Sequence, residues 1–173
     1  MASVFGHSLA ALALGKAFSK ELRKPKLWIL GILCSIAPDA DVLGFKFGIA
    51  YKSFWGHRGF THSFFFAILF GFLIAYLFYK SRRNIIALYF ILCTASHSIL
   101  DAMTTGGKGV AFLSPFENSR YFLPWRPIKV SPMSASKFFS EWGLEVIKSE
   151  LLWIGVPFII LLAGIKLIKY ITR

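Results

Sequence analysis

The stretch "HRGFTHSFFFAILFGFLIAYLFYKSRRNIIALYFILCTASHSILD", His57–Asp101, decides how this chain folds. It contains two apolar runs of helical length joined by the short basic segment "KSRR", Lys80–Arg83. About 20 mostly apolar residues make a helix long enough to cross the hydrocarbon core of a bilayer. The stretch therefore predicts two antiparallel membrane helices, with histidine and aspartate at the ends away from the basic turn.

The composition of the whole chain agrees with a membrane protein. The 173 residues are 56% hydrophobic and only 16% charged, whereas soluble domains carry about 25% charged residues. We expect one domain over residues 1–173. There are 20 Lys and Arg against 8 Asp and Glu, a formal net charge of +12. Because the basic residues flank apolar runs, we expect them to set orientation and contact anionic membrane lipid, and we expect no nucleic-acid partner.

Five segments of the chain have the composition of apolar helices. The last three reach the spanning length of about 17 to 25 residues, whereas the first two are marginal. The predicted fold is an all-α polytopic membrane bundle of about four to five membrane-embedded helices. The segments are Val4–Phe18, Leu27 to Pro38, Ser63–Tyr79, Asn84 to about Met103, and Leu151 to about Tyr170.

One further helix is expected to lie on the membrane surface or against the site. The segment "SASKFFSEWGLEVIKSE", Ser134–Glu150, places its apolar side chains largely on one helical face, which predicts one interfacial amphipathic helix. The only two cysteines, Cys34 and Cys93, lie inside apolar runs. They are predicted to be core residues and neither a disulfide nor a metal pair.

The basic clusters predict the orientation of the bundle. Lys20–Lys26, Lys80–Arg83 and the tail with Lys166, Lys169 and Arg173 are expected to face the cytoplasm. The other helix ends then face the non-cytoplasmic side of a multi-pass inner-membrane protein. All four histidines and three of the eight acidic residues fall at that outer face: His7, Asp39, Asp41, His57, His62, His97 and Asp101.

These seven residues have the side chains that bind transition metals. Imidazole and carboxylate are the usual ligands of Zn²⁺, Mn²⁺ and Fe²⁺, and ionisable groups at membrane depth usually have a function. The seven groups are more than one tetrahedral ion needs. They suit two bridged ions, or one ion with supporting residues and a catalytic base. We expect one or two divalent transition-metal ions, Zn or Mn in the first place.

Local sequence patterns support this grouping and also allow simpler explanations. His97 and Asp101 are four residues apart and share a helical face. Extended or turning backbone after Pro38 would point Asp39 and Asp41 the same way. Taken singly, His7 is also explained by packing, the His97 and Asp101 pair by helix stabilisation, and the two aspartates by a turn.

Several of these motifs occur together in a known family. "PDAD" (Pro38–Asp41), "HRGFTHS" (His57–Ser63) and "HSILD" (His97–Asp101), with the early "GHSLAALALG" (Gly6–Gly15), resemble the bacterial and archaeal membrane-bound metal-dependent hydrolases, small inner-membrane proteins. The resemblance implies a hydrolase whose metal ligands are the seven residues of the outer face.

The expected chemistry is metal-assisted hydrolysis of a phosphoester in a lipid or lipid-linked substrate. Asp41 or Asp39 would take the proton of the attacking water. Arg58 would bind an anionic, lipid-like substrate, and Arg120 and Arg126 would assist it, although these two are equally explained as ordinary interfacial arginines. Two alternatives remain open: a metal-ion transporter, and a non-catalytic membrane protein with a structural metal.

Overall fold

The computed structural model describes residues 1–18 and 24–171. Its α-helices in chain order are α1 (Val4–Ala17), α2 (Pro25–Ile36), α3 (Phe64–Phe78), α4 (Arg83–Ala102), α5 (Ala135–Phe138), α6 (Glu141–Glu150) and α7 (Val156–Ile171). Two 3₁₀ helices cover Ala37–Phe47 and Phe60–His62, and a π-helical turn covers Leu151–Gly155. The predicted all-α class is confirmed. Arg173 and most of the basic segment Lys20–Lys26 lie outside the described residues.

Three helical stretches of the described chain are long and apolar enough to cross a membrane: Pro25–Phe47, Arg83–Ala102 and Glu141–Ile168. The predicted lengths of the second and third segments were wrong. The second was expected to be marginal but is long enough to span, and the third was expected to span but is shorter. α3 has only 15 residues, about 22 Å of helix against a hydrocarbon core of about 30 Å. Ser63 lies outside it as the N-cap and accepts a hydrogen bond from the Phe66 N–H at 3.0 Å.

The second segment is longer than expected because the chain stays helical at Pro38. Pro38 lies in the first turn of the 3₁₀ helix Ala37–Phe47, where a missing N–H removes no hydrogen bond. Asp39 and Asp41 are therefore on a helical segment, so the expectation of an extended or simple-turn backbone was wrong.

The predicted interfacial helix Ser134–Glu150 is divided into two pieces. α5 is a short helix of four residues, and α6 continues through the π-helical turn into α7. The predicted boundary at Leu151 was wrong, because Leu151 keeps helical backbone angles. The change from amphipathic to apolar sequence needs no break in the backbone.

α4 is the central helix of the bundle, and α1, α2 and α3 pack against it. Its Tyr89 is fully buried and donates a hydrogen bond to the Ala11 carbonyl at 3.1 Å. Cys34 and Cys93 are buried and free, as predicted. α2 and α3 make few contacts with each other, so a groove opens between them. This arrangement brings the start of α1, the end of α4 and both 3₁₀ helices to one end of the bundle.

Candidate metal centre

Four potential metal ligands converge at this end of the bundle: Asp39, His62, His97 and Asp101. His97 Nε2 lies 3.0 Å from His62 Nε2 and 3.4 Å from Asp39 Oδ1. His62 Nε2 lies 3.6 Å from Asp39 Oδ1 and 3.7 Å from Asp101 Oδ2. Donors about 2.0 Å from a tetrahedral ion are about 3.3 Å apart. The four atoms therefore have the mutual spacing of ligands around a single ion.

Hydrogen bonds on the far side of the two rings fix their orientation. His97 Nδ1 lies 2.7 Å from the Ser35 carbonyl oxygen, which only accepts, so Nδ1 carries the hydrogen. His62 Nδ1 lies 3.2 Å from Asp41 Oδ2 in the same way. When both rings are neutral, each directs an Nε2 lone pair into the 3.0 Å gap between them. Two facing lone pairs require a cation or a proton between them, and histidines supported in this way are typical of metal sites.

Several polar atoms around this gap have no hydrogen-bond partner although they are buried. They include both oxygens of Asp39, both ring nitrogens of His7 and Nε2 of His57. Buried polar groups in proteins are normally hydrogen bonded. One His7 nitrogen carries a hydrogen, but the other and the carboxylate oxygens are unpaired acceptors that fit a divalent cation, so the residues present pass the chemical test for a metal site.

The charges of the cluster also favour a bound divalent cation. Asp39, Asp41 and Asp101 supply three carboxylates, and the side chain of Arg58 supplies one buried positive charge beside them. The Met1 ammonium and the Glu150 carboxylate at the same end offset each other, so two negative charges remain when the histidines are neutral. Uncompensated buried charge is costly, and one divalent cation would neutralise it.

Asp41 supports the histidines through its own hydrogen bonds. Its Oδ1 lies 2.7 Å from His57 Nδ1. Its Oδ2 accepts from the Thr61 hydroxyl at 2.8 Å and from the backbone N–H of Arg58 at 3.1 Å. Asp41, His57 and His62 also form a second group with metal-ligand spacing, which is where a second ion would bind.

His7 lies beside the four-donor group. Its ring stacks on His97 with centroids 3.8 Å apart, and its Nε2 lies 3.5 Å from Asp101 Oδ1. The structure thus brings all seven predicted ligands together at one end of the bundle. Their binding of a metal stays a prediction.

Arg58 faces into this cluster and is fully buried. Its Nε lies 2.9 Å from Asp101 Oδ2, and its terminal nitrogens donate to the Thr104 hydroxyl at 3.1 Å and the Gly106 carbonyl at 3.0 Å. Its backbone is left-handed, with φ at 63°. A Cβ on Gly107 would lie only 2.4 Å from the Arg58 guanidinium. Arg58 is therefore held as a fixed charge among carboxylates.

The other two predicted anion-binding arginines are placed differently. Arg120 donates to the backbone carbonyls of His57 at 2.7 Å and Tyr51 at 2.9 Å, so it holds the loop that carries His57. Arg126 is exposed and lies over the ring of Phe122. Neither contact places a guanidinium among the cluster's ligands, and their role in substrate binding stays a prediction.

Sequence reasoning missed Glu150 as part of this end of the molecule. Its buried carboxylate lies 2.5 Å from both the backbone N–H and the hydroxyl of Ser3. It thereby fastens the start of α1 above Asp101, whose Oδ1 accepts the Ala2 N–H at 2.7 Å. A glutamate next to the apolar run "LLWIG" is the signal that would have found it.

His62 carries the electrostatic effect of the surrounding carboxylates. Burial lowers the pKa of His62, but Asp39 and Asp41 outweigh it and raise that pKa to about 9. The metal-free cluster therefore holds a proton at neutral pH.

The fold and this cluster define a helical membrane protein with a buried histidine and aspartate centre. A family model described as "YdjM inner membrane protein" matches residues 1–171. The chain belongs to this family. It is 41% identical over 165 residues to the "Inner membrane protein YbcI" of Escherichia coli (strain K12), covering 94% of this chain and 95% of that protein. No solved structure matches the chain.

Proposed function

We propose that this inner-membrane protein is a metal-dependent hydrolase that cleaves a phosphoester of a lipid or lipid-linked substrate, with its site on the non-cytoplasmic side. The observation that supports this most is the convergence of Asp39, His62, His97 and Asp101, with unpaired atoms directed at one another. One or two ions, Zn or Mn, fit these donors. A bound divalent cation would acidify water and stabilise charge developing on the phosphoester.

The residues of the cluster divide the remaining work between them. Asp41 is fully engaged in hydrogen bonds, so its proposed part is to orient His57 and His62. Asp39 keeps both oxygens unpaired and buried, and its side chain as a whole is 11% exposed, whereas the other cluster side chains are at most 2% exposed. Asp39 is therefore the carboxylate best placed to accept a proton from a reacting water.

The sequence indicates that Arg58 binds the substrate directly, but we propose that it acts through its ion pair with Asp101. Its contact with Asp101 reduces the negative charge of the cluster, and a phosphate would otherwise be repelled there. We propose that it favours an anionic substrate through this fixed charge, in a site where the low dielectric strengthens electrostatic effects.

The two alternatives make different demands on the molecule. A transporter needs polar groups along a path through the bilayer, but α3 is apolar throughout apart from Tyr76. In the described chain the fully buried charged and histidine side chains lie at the cluster end. A structural metal needs a closed ligand set, and a measurement of turnover separates it from a catalytic metal.

The test is hydrolysis by purified protein in detergent with Zn²⁺ or Mn²⁺, using a panel of phospholipids and prenyl phosphates. We expect turnover of at least one substrate. Asp39→Asn should lower turnover per bound metal ion about 10²- to 10⁴-fold, the usual contribution of a general base, with metal content measured on the same samples because Asp39 is also a proposed ligand. Glu117→Gln is the matched control because Glu117 is exposed and its carboxylate accepts a hydrogen bond from the Tyr121 hydroxyl. Protein that holds its metal but turns over none of the panel would contradict the proposal and favour a structural metal.

A further inference from the structure

The groove between α2 and α3 is a cavity of about 740 Å³ with apolar walls. Leu30, Leu33 and Cys34 line it from α2, and Phe70, Ile74 and Phe78 line it from α3. These spacings of three and four residues put each set on one helical face. The groove exists because both helices pack on α4 and scarcely touch each other.

One end of the groove reaches the candidate metal centre. Among the described residues that line it, Asp39 has the one charged side chain, and Met1 with its ammonium group also lies there. The Asp39 side chain is also the most exposed of the cluster. The other end lies at Phe78, whose carbonyl accepts a hydrogen bond from Lys26 Nζ at 2.6 Å. The apolar groove therefore ends at Asp39, the carboxylate that has two unpaired oxygens.

We propose that this groove binds one hydrocarbon chain of a membrane lipid and holds the polar end of that lipid at Asp39. α2 belongs to a candidate membrane span, so the groove opens onto the hydrocarbon of the bilayer. From Phe70 to Phe78 the helix rises about 12 Å, close to the depth of one leaflet, about 15 Å. The groove therefore matches a single chain lying along the bundle.

The inference rests on the proposed function and specifies its substrate class. A lipid would enter sideways from the leaflet, without leaving the membrane. Its phosphoester would lie at the mouth of the groove beside Asp39, while its chain fills the space between Leu33 and Ile74. Substrate specificity would then depend on the hydrocarbon chain of the lipid as well as on its anionic head group.

The experiment uses phosphatidylglycerol with a photoreactive diazirine in the middle of one acyl chain, added to the purified full-length protein in detergent. Cross-linked positions are mapped by mass spectrometry, and the metal content of the same samples is measured. Leu33→Trp fills the groove, and Leu73→Trp is its matched control. Leu33 is 51% exposed and Leu73 is 52% exposed, but only Leu33 lines the groove.

In the wild-type protein we expect adducts concentrated on Phe70 and Ile74. Leu33→Trp should lower them about tenfold or more, because an overpacked groove excludes the chain, while Leu73→Trp leaves them unchanged. Both variants should keep the wild-type metal content, which shows that they are folded. Unchanged labelling in Leu33→Trp would contradict the proposed binding of a lipid chain in the groove. Labelling at Leu73 equal to that at Phe70 and Ile74 in the wild type would contradict it too. Groove labelling in a metal-free wild type would support the groove and count against the proposed function.

Discussion

The two ends of this helical bundle are built on different physical principles. Towards the basic turn, packing is apolar and close: Gly15 and Gly31 lie against the buried ring of Tyr89. At the other end, histidines, carboxylates and Arg58 are buried together. Small residues at helix contacts are what membrane helices need to associate, whereas buried charges cost free energy unless they are compensated. The comparison teaches that close packing is enough to explain the apolar end, whereas the polar end needs charge compensation, which a bound cation would supply in the proposed function.

Removing Arg58 should break the polar end most severely. Arg58→Met leaves Asp101 without its 2.9 Å ion pair, and breaking a buried pair costs about 3 to 5 kcal/mol. We expect a large fall in thermal stability in detergent. Arg126→Met is the control, since Arg126 is exposed, and its melting temperature should stay near the wild-type value. Equal melting temperatures for both variants would contradict the assignment of Arg58 as a compensating charge.

Replacing Glu150 should have the next largest effect. Glu150→Gln weakens two buried contacts with Ser3, and hydrogen bonds to charged groups contribute about 1.5 to 3 kcal/mol each. The start of α1 should loosen, and metal affinity should fall with it. Thermal unfolding and metal titration measure both effects. Glu145→Gln, at an exposed ion pair with Lys129 and Lys148, should change neither. Wild-type thermal stability and metal affinity in Glu150→Gln would contradict a role for Glu150 in supporting the site.

The apolar end should respond to volume instead of charge. In Gly31→Ala the new methyl group would lie 2.1 Å from the Tyr89 hydroxyl oxygen, whose ring is fully buried. Overpacking of this kind costs about 1 to 3 kcal/mol, without altering metal content. Gly164→Ala is the control, because nothing lies within 4 Å of its new methyl group. Thermal unfolding should separate the two, and a wild-type stability for Gly31→Ala would contradict the described contact.

Proton release gives the smallest expected effect. The pKa of His62 is lowered by burial but raised to about 9 by Asp39 and Asp41, so the metal-free ring is charged at pH 7. A metal ligand must be neutral. Binding at pH 7 should release about one proton per ion, and affinity should rise with pH, by up to about tenfold per unit, until pH 9. Calorimetry in buffers of different ionisation enthalpy measures this. Binding without proton release would show that His62 is already neutral without metal and would contradict its raised pKa.

The polar end was largely predictable from sequence because its residues follow simple rules. His97 and Asp101 are four apart on α4, and Ser63 caps α3, the helix that follows His62. The alternating basic segments placed all seven titratable residues at one end without using those residues. Helix lengths were less predictable, because Pro38 falls in a first turn that tolerates proline.

The missing parts depend on contacts between segments distant in the sequence. The inward direction of Arg58 follows from a left-handed backbone and the space left by Gly107. Glu150 meets Ser3 across 147 residues of chain. The groove depends on two helices that share α4 as a neighbour. Local periodicity contains none of this information.

Metal content is the most direct test of the central claim. Elemental analysis of purified wild-type protein, grown with Zn²⁺ and Mn²⁺, should find between about one and two ions per chain. The double variant Asp39→Asn, His62→Gln should hold far less. Thr94→Val, a buried change on α4 at a hydroxyl that donates to the Phe90 carbonyl, should hold the wild-type amount. Metal-free wild-type protein would show that the histidines and aspartates form a buried polar network, and it would contradict the account.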